Sequence, residues 1–418
     1  MSNPDQYDVI VVGGGASGLM AAGRAAELGA RVLLLEKNKN MGEKLKITGG
    51  GRCNITNAEY DVRALLKNFG DASEFLFSSF SQFGVKETFS FFESRGLPLV
   101  IEARKRAFPN THKALDVYKV LEKYIQAGKV TIKVGSPVTK IISNNGKITS
   151  VICGANEYRA KSFIFATGGA SHKETGSTGD GFGWLRELGH TVAVPTPSVV
   201  PLATDDEWGK KLAGISIEQM KITFFTDGVK SFSKKGRILF THFGISGPLI
   251  LNSAQEVSDL LKSGIVTAAI DVFPDLDLGA LEKKLIGLFD ANKNKALKNV
   301  LAGILPAGTA KGISMLIDDS MLEKKAHSIT VEERKNLTRM FKALPLTVTG
   351  LMGEDRAVVS DGGVTLTEID TKTMKSKVVD NLFVTGDLLH INRPSGGYSL
   401  QLCWTTGYVA GSAVMFDK

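Results

Sequence analysis

The sequence lacks the features that would mark a membrane, secreted or metal-cluster protein. Its three cysteines show no Cys-x-x-Cys spacing, which argues against a disulfide framework and a cysteine-cluster zinc site. No apolar run approaches the roughly 20 residues of a membrane helix, and the first residues lack a secretory signal pattern. HExxH, GxSxG and P-loop patterns are absent too, so metal-dependent hydrolysis, a nucleophile elbow and NTP turnover lack support. We therefore expect a soluble cytoplasmic protein without a bound metal or a membrane partner.

Glycine is the residue type in clear excess. The chain has 45 glycines among 418 residues, where about 7% is usual. Such an excess indicates many tight turns or close approaches of backbone to a ligand. The length predicts two or three domains. The formal net charge is +8 and the basic residues are scattered, which permits nucleic-acid binding but favours a solvated surface and a small-molecule substrate.

The segment from Tyr7 to Glu36 carries the sharpest motif. Asp8–Val12 is a short apolar run typical of a buried parallel strand, and it leads into Gly13-Gly-Gly-Ala-Ser-Gly18 and a helical pattern. In such a motif Gly13 allows a tight turn, Gly15 lets the backbone approach a pyrophosphate, and Gly18 lets helix and strand pack closely. Glu36, at the end of the next predicted strand, can accept hydrogen bonds from ribose hydroxyls. The pattern predicts a site for an adenine dinucleotide.

Three further glycine-containing segments extend this prediction. A polar loop follows the second strand, residues 37–57, and suits a backbone that lies along an extended cofactor with Lys44 and Arg52 near its negative charge. A buried strand ends in Ala166-Thr-Gly-Gly169, and another ends in Gly386-Asp387 shortly before a glycine-led helix. A strand and helix N-terminus in this arrangement can hold a ribityl chain and direct N–H groups at the flavin, where negative charge accumulates on reduction.

Several motifs resemble those of a bacterial family of flavoproteins with two dinucleotide-binding domains. They are Gly49–Asn57, Ala166–Ser171, Thr178–Gly181, Phe240–Pro248 and Gly396–Gln401. An aminoacetone oxidase and a flavoprotein of the bile-acid dehydroxylation pathway are placed in this family. The resemblance implies noncovalent FAD and an α/β fold: a doubly wound, Rossmann-like FAD domain similar to those of glutathione reductase and fumarate reductase, with an inserted β-barrel and helical domain.

The motif and the resemblance together assign the chain to domains and predict its cofactor contacts. The FAD domain is expected at residues 1–194 and 346–418, and the insert at 195–345, with a barrel at about 195–275 and helices at about 276–345. The residues predicted to bind FAD are Gly13, Gly15, Ala16, Ser17, Gly18, Glu36, Lys37, Lys44, Gly51, Arg52, Cys53, Asn54, Val138, Ala166, Thr167, Gly168, Gly386, Asp387, Gly397, Tyr398 and Ser399.

Two histidines are candidate catalytic residues, because histidine exchanges protons near neutral pH. His242 lies in the glycine-rich Phe240–Pro248 segment. His390 follows Gly386-Asp387, at a position where family members tend to carry an acid, so a relative's substrate cannot be transferred directly. His172 follows the Ala166–Gly169 turn and is expected to pack or to support the cofactor.

The sequence contains no second GxGxxG motif, so a separate nicotinamide domain is not expected. We predict an FAD-dependent oxidoreductase that transfers hydride between FAD and a small or medium organic substrate, with NADH or NADPH as a candidate reductant. The direction stays open between oxidation of an amine or alcohol and reduction of an activated C=C bond. The alternative, motivated by the net charge, is an RNA-associated flavoprotein that modifies or binds tRNA or rRNA.

Overall fold

The computed structural model describes residues 6–198, 200–352 and 359–415. The chain divides into two compact units, one formed by Met1–Pro197 with Ala357–Lys418 and the other by Ser198–Arg356. We predicted divisions after residues 194 and 345, and the structure divides the chain after residues 197 and 356. The first unit is thus built from two separate stretches of sequence.

The first unit contains ten strands and seven helices up to Ser198, then two strands and one helix after residue 358, counted over the described residues. In chain order they are β1 (Gln6–Val12), α1 (Ala16–Glu27), β2 (Val32–Leu35), α2 (Glu43–Ile47), β3 (Thr56–Asn57), α3 (Val62–Leu66), α4 (Ser73–Gln82), α5 (Val85–Glu93), β4 (Leu99–Glu102), β5 (Arg106–Pro109), α6 (Ala114–Ala127), β6 (Thr131–Lys133), β7 (Lys140–Asn144), β8 (Lys147–Cys153), β9 (Asn156–Phe165), α7 (Asp180–Glu187) and β10 (Val192–Ser198).

The second unit, residues 198–356, carries the next group of elements, and the last three return to the first unit. The second unit has β11 (Leu202–Thr204), α8 (Glu207–Lys210), β12 (Ser216–Thr226), β13 (Val229–Thr241), β14 (Gly244–Ser246), α9 (Pro248–Leu251), α10 (Ala254–Ser263), β15 (Val266–Asp271), α11 (Leu278–Ala291), α12 (Leu297–Val300), α13 (Ala310–Ile313), α14 (Asp319–Leu322), α15 (Val331–Lys342) and β16 (Leu344–Leu351). The returning elements are β17 (Val359–Val364), β18 (Leu382–Val384) and α16 (Tyr398–Ala413).

The core of the first unit is a seven-stranded sheet with the order β6-β2-β1-β9-β8-β7, and β18 also pairs with β9. Strands β6, β2, β1, β9 and β18 run parallel, while β7 and β8 form an antiparallel hairpin on the end of β9. The β-branched and leucine-rich runs of β1 and β2 are almost fully buried, as expected for parallel strands covered on both faces. This confirms the predicted doubly wound, Rossmann-type fold.

Two glycines make the turn from β1 into α1 possible. Gly13 has φ +107°, and a Cβ there would lie 2.4 Å from the carbonyl oxygen of Ala166 at the end of β9. A Cβ at Gly18 would lie 1.8 Å from the carbonyl oxygen of Gly13. Gly15 is the N-cap of α1 and makes no side-chain cap, so the first N–H groups of the helix stay available. A Cβ at Gly15 would meet nothing within 4 Å.

A small antiparallel sheet, β3-β5-β4, connects the glycine-rich loop to the start of α16. Gly397, the N-cap of α16, packs directly on β3, since a Cβ there would lie 2.3 Å from the carbonyl carbon of Thr56. With its amide oriented to satisfy its neighbours, Asn54 accepts a hydrogen bond from Gly397 N at 3.0 Å and donates to the carbonyl oxygens of Thr56 and Ala107. The loop and the helix N-terminus therefore form one structure.

The second unit is a closed antiparallel barrel with the strand order β11-β14-β13-β12-β15-β16, together with helices. The predicted hairpin at Asp227–Gly228 is present between β12 and β13, and Asp227 has φ +49° as such a turn requires. The predicted helical stretch corresponds to α11–α15, and Thr330 and Glu333 form the expected capping box at α15.

One part of the predicted division of the insert is wrong. We placed the barrel at about 195–275 and returned the chain to the FAD domain at 346, but β16 (Leu344–Leu351) pairs with both β15 and β11 and closes the barrel. The glycine-containing, alternating pattern of this strand matches either domain. Its assignment depends on which strand edges remain unpaired, a long-range property that the local sequence does not carry.

Among the described residues, no helix is long and apolar enough to cross a membrane.

Candidate active site

The first unit contains a cavity of about 1230 Å³, counting the space at its open mouth. It lies where β1, β2 and β9 end and α1 begins, at the carboxyl edge of a parallel sheet, which is where open α/β sheets bind their ligands. Its lining residues are Val12, Gly13, Gly15, Ala16, Ser17, Leu35, Glu36, Lys37, Asn38, Gly42, Glu43, Lys44, Leu45, Thr48, Ser136, Val138, Ala166, Thr167, Gly168, Thr175, Gly176, Ser177, Thr178, Asp180, Trp184, Asp387, Ser399, Leu400 and Cys403.

Thirteen of the predicted cofactor residues line this cavity. They are Gly13, Gly15, Ala16, Ser17, Glu36, Lys37, Lys44, Val138, Ala166, Thr167, Gly168, Asp387 and Ser399. They come from positions separated by up to nearly the whole chain, and the sheet brings them together.

Glu36 is held in the cavity wall by backbone N–H groups. Its Oε2 accepts from Gly14 N at 2.8 Å and its Oε1 accepts from Asn38 N at 2.8 Å. The side chain is buried, because it follows directly on the buried strand β2. A buried carboxylate fixed in this way has lone pairs left for hydroxyl donors, as a ribose would supply.

Lys37, which follows β2, and Asp180, the first residue of α7, both line the cavity and form an ion pair. Lys37 Nζ lies 2.8 Å from Asp180 Oδ2 and also hydrogen-bonds Thr178. Burial works against ionisation of Asp180, but the hydrogen bond and charge of Lys37 and the Thr178 hydroxyl outweigh it and lower the pKa of Asp180. Asp180 therefore stays ionised and keeps Lys37 in place.

A charge cluster formed by Lys44, Asp387 and the buried Arg393 lies beside the cavity, and Lys44 and Asp387 line it. Asp387 contacts Arg393 through Oδ1 and lies 3.6 Å from Lys44 Nζ through Oδ2. Burial opposes ionisation of Asp387, but the charges of Arg393 and Lys44 outweigh it and hold its pKa below the ordinary value. Lys44 also donates to Ser171 Oγ at 2.7 Å. Two cations share one carboxylate here, so the cluster carries an excess of positive charge.

Arg393 is a buried residue whose role the sequence pattern did not assign. Its side chain is 1% exposed, its Nη1 donates to the carbonyl oxygen of Ile391 at 2.6 Å, and its Nε donates to Ser399 Oγ at 3.2 Å. Arg393 thus links Asp387 and Ser399, which both line the cavity. Its only signal in the sequence is the Leu388–Pro394 segment, which stands where members of the resembled family tend to carry an acid followed by a glycine-rich segment.

Eight predicted cofactor residues do not line the cavity. They are Gly18, Gly51, Arg52, Cys53, Asn54, Gly386, Gly397 and Tyr398. Gly18, Asn54 and Gly397 make the close backbone approaches described above. Tyr398 packs edge-on against Phe69, with ring centroids 5.8 Å apart. Cofactor contacts of these eight residues remain predictions.

Two cysteines near the site are unreactive thiols. Burial raises the pKa of Cys53 to about 12, and Cys53 adopts φ +61°, an unusual conformation for a residue with a side chain. Burial also raises the pKa of Cys403 to about 12, with the charge of Asp387 acting in the same direction. Cys403 lines the cavity but was not predicted to do so. Neither thiol is ionised near neutral pH, which favours packing roles.

The candidate catalytic histidines do not line the cavity. His242 is exposed in the turn between β13 and β14 of the second unit. His390 is exposed in the first unit, and its backbone N–H donates to Val364. His172 has φ +56° and its Nδ1 lies 2.9 Å from Glu174. Catalytic roles for His242 and His390 remain predictions. No cluster of potential metal ligands occurs within the described part of the chain.

Other lining residues were missed because they carry little local signal. Trp184 lies on α7, and Ser136 lies in the segment between β6 and β7. Thr178 and Asp180 belong to a motif that the resemblance noted, yet their contact with Lys37 depends on the fold.

Comparison with known proteins identifies the family. The family model described as "HI0933-like protein Rossmann domain" matches residues 7–413. A 3-dehydro-bile acid delta(4,6)-reductase of Clostridium scindens is 31% identical, with 96% of this chain and 98% of the relative covered. A ribosomal RNA dihydrouridine synthase of Haemophilus influenzae is 27% identical, with 97% and 98% covered.

A solved 3-ketosteroid-delta4-(5alpha)-dehydrogenase from Rhodococcus jostii superimposes with a TM-score of 0.54 at 16% identity, covering 98% of this chain and 97% of that one. At this identity the likeness supports the fold alone.

The cavity fits the FAD that this family implies. The Gly13–Gly18 turn leaves open space at Gly15 beside free helix N–H groups, as a pyrophosphate requires. Thr167 Oγ1 is a buried hydroxyl in the cavity wall without a hydrogen-bond partner in the protein, so a bound ligand can satisfy it. Glu36 can hold the adenosine ribose, and Asp387 and Ser399 can hold the ribityl and flavin end. The chain belongs to the HI0933-like Rossmann family and is an FAD-dependent oxidoreductase.

Proposed function

We propose that this protein reduces a C=C bond conjugated to a carbonyl group, with electrons that NADH or NADPH delivers to FAD. The observation that carries the proposal is the charge cluster of Lys44, Asp387 and Arg393 beside the cavity. Fixed positive charge stabilises the negative charge that a reduced flavin carries. A site of this kind favours transfer of hydride from a nicotinamide to FAD, and the names of the relatives then favour a C=C bond over dioxygen as the acceptor.

The relatives support the same reaction class. One is named as a delta(4,6)-reductase of a 3-dehydro bile acid, and another as a dihydrouridine synthase. Both names describe addition of hydrogen to a C=C bond that is conjugated to a carbonyl group. When bound, FAD accepts a hydride from one reactant and donates it to another. The protein's own part is to bind the cofactor through Glu36 and the Gly13–Gly18 turn and to hold Lys44 and Asp387 in place.

The first experiment is an anaerobic titration of the FAD-loaded protein with NADH and then NADPH. We expect loss of the absorption band of oxidised flavin with one of them, and its return on addition of cyclohex-2-enone or a steroid 4-en-3-one. Cyclohexanone, which lacks the double bond, is the matched control and should leave the flavin reduced. A flavin that neither nicotinamide reduces but that an amine or alcohol bleaches would contradict the proposal.

A second candidate substrate is uracil within ribosomal RNA. The specific observation is the segment from Arg104 to Lys133, which holds eight basic and two acidic residues. Its basic residues Arg104, Lys105, Lys113, Lys119, Lys123, Lys129 and Lys133 are exposed. Such a surface can bind the phosphate backbone, and the binding would weaken steeply with salt.

Binding of an rRNA fragment at low and high salt, followed by mass spectrometry for dihydrouridine, tests this second candidate. Absence of RNA binding at low salt would eliminate it and leave a small-molecule substrate. The matched variant is Lys119→Gln with Lys123→Gln, on the exposed face of α6, which should weaken RNA binding without affecting reduction of the flavin.

A further inference from the structure

The positively charged side chain of Arg52 follows closely after a residue that lines the cavity. Thr48 lines the cavity, and the next three residues, Gly49–Gly51, have φ of +58°, +66° and +83°. They lead to Arg52, whose guanidinium carbon lies 4.3 Å from the centroid of the Phe108 ring. Guanidinium groups stack favourably on aromatic rings, so Phe108 fixes the plane of Arg52. Only glycine adopts three such successive conformations without strain.

Two further side chains hold Arg52 in this orientation. Arg52 Nη2 contacts Glu102 Oε1 and lies 2.9 Å from His112 Nδ1. A guanidinium can only donate, so His112 Nδ1 is the acceptor and the ring carries its proton on Nε2. Glu102 comes from the end of β4 and Phe108 from β5, so a two-stranded hairpin supports the whole group. Arg52 and His112 are each 42% exposed and Glu102 is 29% exposed, so ligand can reach the cluster.

The cluster is attached to the part of the cavity wall that Thr48 and the first turn of α16 form. Cys53 N donates to the Thr48 carbonyl oxygen at 3.0 Å, and Asn54 bonds the N-cap of α16. Ser399 and Leu400, in the first turn of α16, line the cavity. Arg52 therefore sits on a loop that is hydrogen-bonded to two parts of the cavity wall.

We propose that Arg52 and His112 form the anchor for an oxygen of the substrate, either the carbonyl of an unsaturated ketone or a carboxylate. Arg52 supplies charged N–H groups in a fixed plane and His112 supplies its Nε2–H. Glu102 and Phe108 act as positioning residues. The inference rests on the proposed function for the kind of substrate, and it moves Arg52 from the predicted cofactor contacts to the substrate side.

The test compares wild type with Arg52→Lys, which keeps the charge but loses the planar fork of donors. With cyclohex-2-enone as substrate we expect KM to rise about tenfold, while the rate of flavin reduction by NADPH and the bound FAD content stay unchanged. Arg159→Lys is the matched control, because Arg159 is an exposed arginine paired with Glu157. His112→Asn, a residue type that tolerates the φ of +52° at this position, should raise KM about threefold.

A binding measurement separates the anchor from the reaction. 4-Chlorophenolate carries an oxygen anion on a ring that can stack on oxidised flavin and give a long-wavelength charge-transfer band. We expect its Kd to rise about tenfold in Arg52→Lys. If wild type fails to reduce any enone yet binds the phenolate through Arg52, the proposed function fails and the anchor stands. Equal Kd and KM values in wild type and Arg52→Lys, or no phenolate binding by wild type, would overturn the anchor.

Discussion

At the residue scale, the site depends on how a few charges are compensated. Lys44 in the cavity wall and the buried Arg393 behind it are tolerated because Asp387 contacts both. A buried charge without a partner is costly. Removal of one residue of a buried ion pair therefore lowers the free energy of unfolding by more than the pair as a whole contributes to it. The same logic separates Asp387 from the exposed ion pairs of this protein, which solvent screens.

We expect Asp387→Asn to lower the free energy of unfolding of the first unit by about 3 kcal/mol, because Arg393 loses its counter-charge in a buried place. FAD binding should weaken as well. Urea unfolding and FAD titration measure both effects. Asp8→Asn is the matched control, since Asp8 pairs with the exposed Lys161 at 2.9 Å and should cost about 1 kcal/mol or less. Equal losses in the two variants would show that Asp387 is not part of a buried network.

At the element scale, the turn from β1 to α1 contains one glycine that the packing of the fold requires and one that leaves space for a ligand. Gly18 is required by packing, because a Cβ would overlap the Gly13 carbonyl oxygen at 1.8 Å. Gly15 has ordinary φ of −84° and nothing within 4 Å of a Cβ. The fold therefore has room at Gly15 that a bound pyrophosphate can occupy.

This difference predicts opposite results for the same substitution. Gly15→Ala should fold with wild-type stability and bind FAD about tenfold more weakly, because a methyl group occupies space at the phosphate site. Gly18→Ala should lose several kcal/mol of stability, as overpacking against backbone does. Thermal unfolding without FAD and fluorescence titration with FAD distinguish them. Wild-type FAD affinity in Gly15→Ala would remove Gly15 from the phosphate site.

A hydrogen-bond network around His190 connects the segment before β18 to the residues just before β10. His190, fully buried, lies 2.9 Å from Glu368 Oε2 through Nδ1 and 2.9 Å from Ser376 Oγ through Nε2. Ser376 Oγ also accepts from Val378 N and Val379 N, so its hydroxyl is fixed as a donor to His190. Ser376, His190 and Glu368 are the residue types of a hydrolytic triad and contact one another in that order. The Ser376 hydroxyl, however, is buried and hydrogen-bonded to the backbone.

Glu368 makes this tie dependent on pH. Burial opposes its ionisation, but hydrogen bonds from Thr191 and His190 outweigh it and lower its pKa below the ordinary 4.5. A depressed carboxyl pKa stabilises the fold above the ordinary value and loses that contribution as pH falls below it. Glu368→Gln should therefore cost about 1 kcal/mol at pH 7, and wild type and variant should converge in urea titrations as the pH falls below 4.5 and through the depressed pKa of folded Glu368. Glu157→Gln, at an exposed pair, is the control and should change little; a pH-independent loss in Glu368→Gln would contradict the argument.

The elements differ in how well sequence predicts them. The β1–α1–β2 unit and the β12–β13 hairpin follow from local patterns, since glycines and alternating side chains act over a few residues. Strand β16 and the place of Arg52 do not, because each depends on partners far along the chain. The charge of Arg52 predicts a place beside the cofactor, which stays a prediction, while its contacts with Glu102, Phe108 and His112 carry no signal in the local sequence.

At the scale of the whole molecule, the chain has two units with separate hydrophobic cores. The cavity that fits FAD is lined entirely by described residues of the first unit. Ligand binding stabilises the unit that binds, by about 2.7 kcal/mol at one hundred times Kd. Calorimetry should show two transitions, of which added FAD raises only one. Mass spectrometry of the first fragments released by proteolysis with FAD present should then assign the unshifted transition to residues 198–356. One transition that moves as a whole would mean that the units unfold together.

The two-part origin of the first unit has a consequence for how the protein is made. Helix α16 packs on α1, and Arg24 Nε donates to Ser412 Oγ across 388 positions at 2.9 Å. During synthesis the ribosome releases α1 long before α16, and the barrel of residues 198–356 can fold in between. Apolar residues of α1 such as Met20 and Ala21, against which α16 packs, therefore stay exposed to solvent or bound to a chaperone until α16 has been synthesised. FAD can therefore bind only near the end of synthesis and folding, after α16 has packed on α1. A chain truncated before α16 would fail to bind FAD.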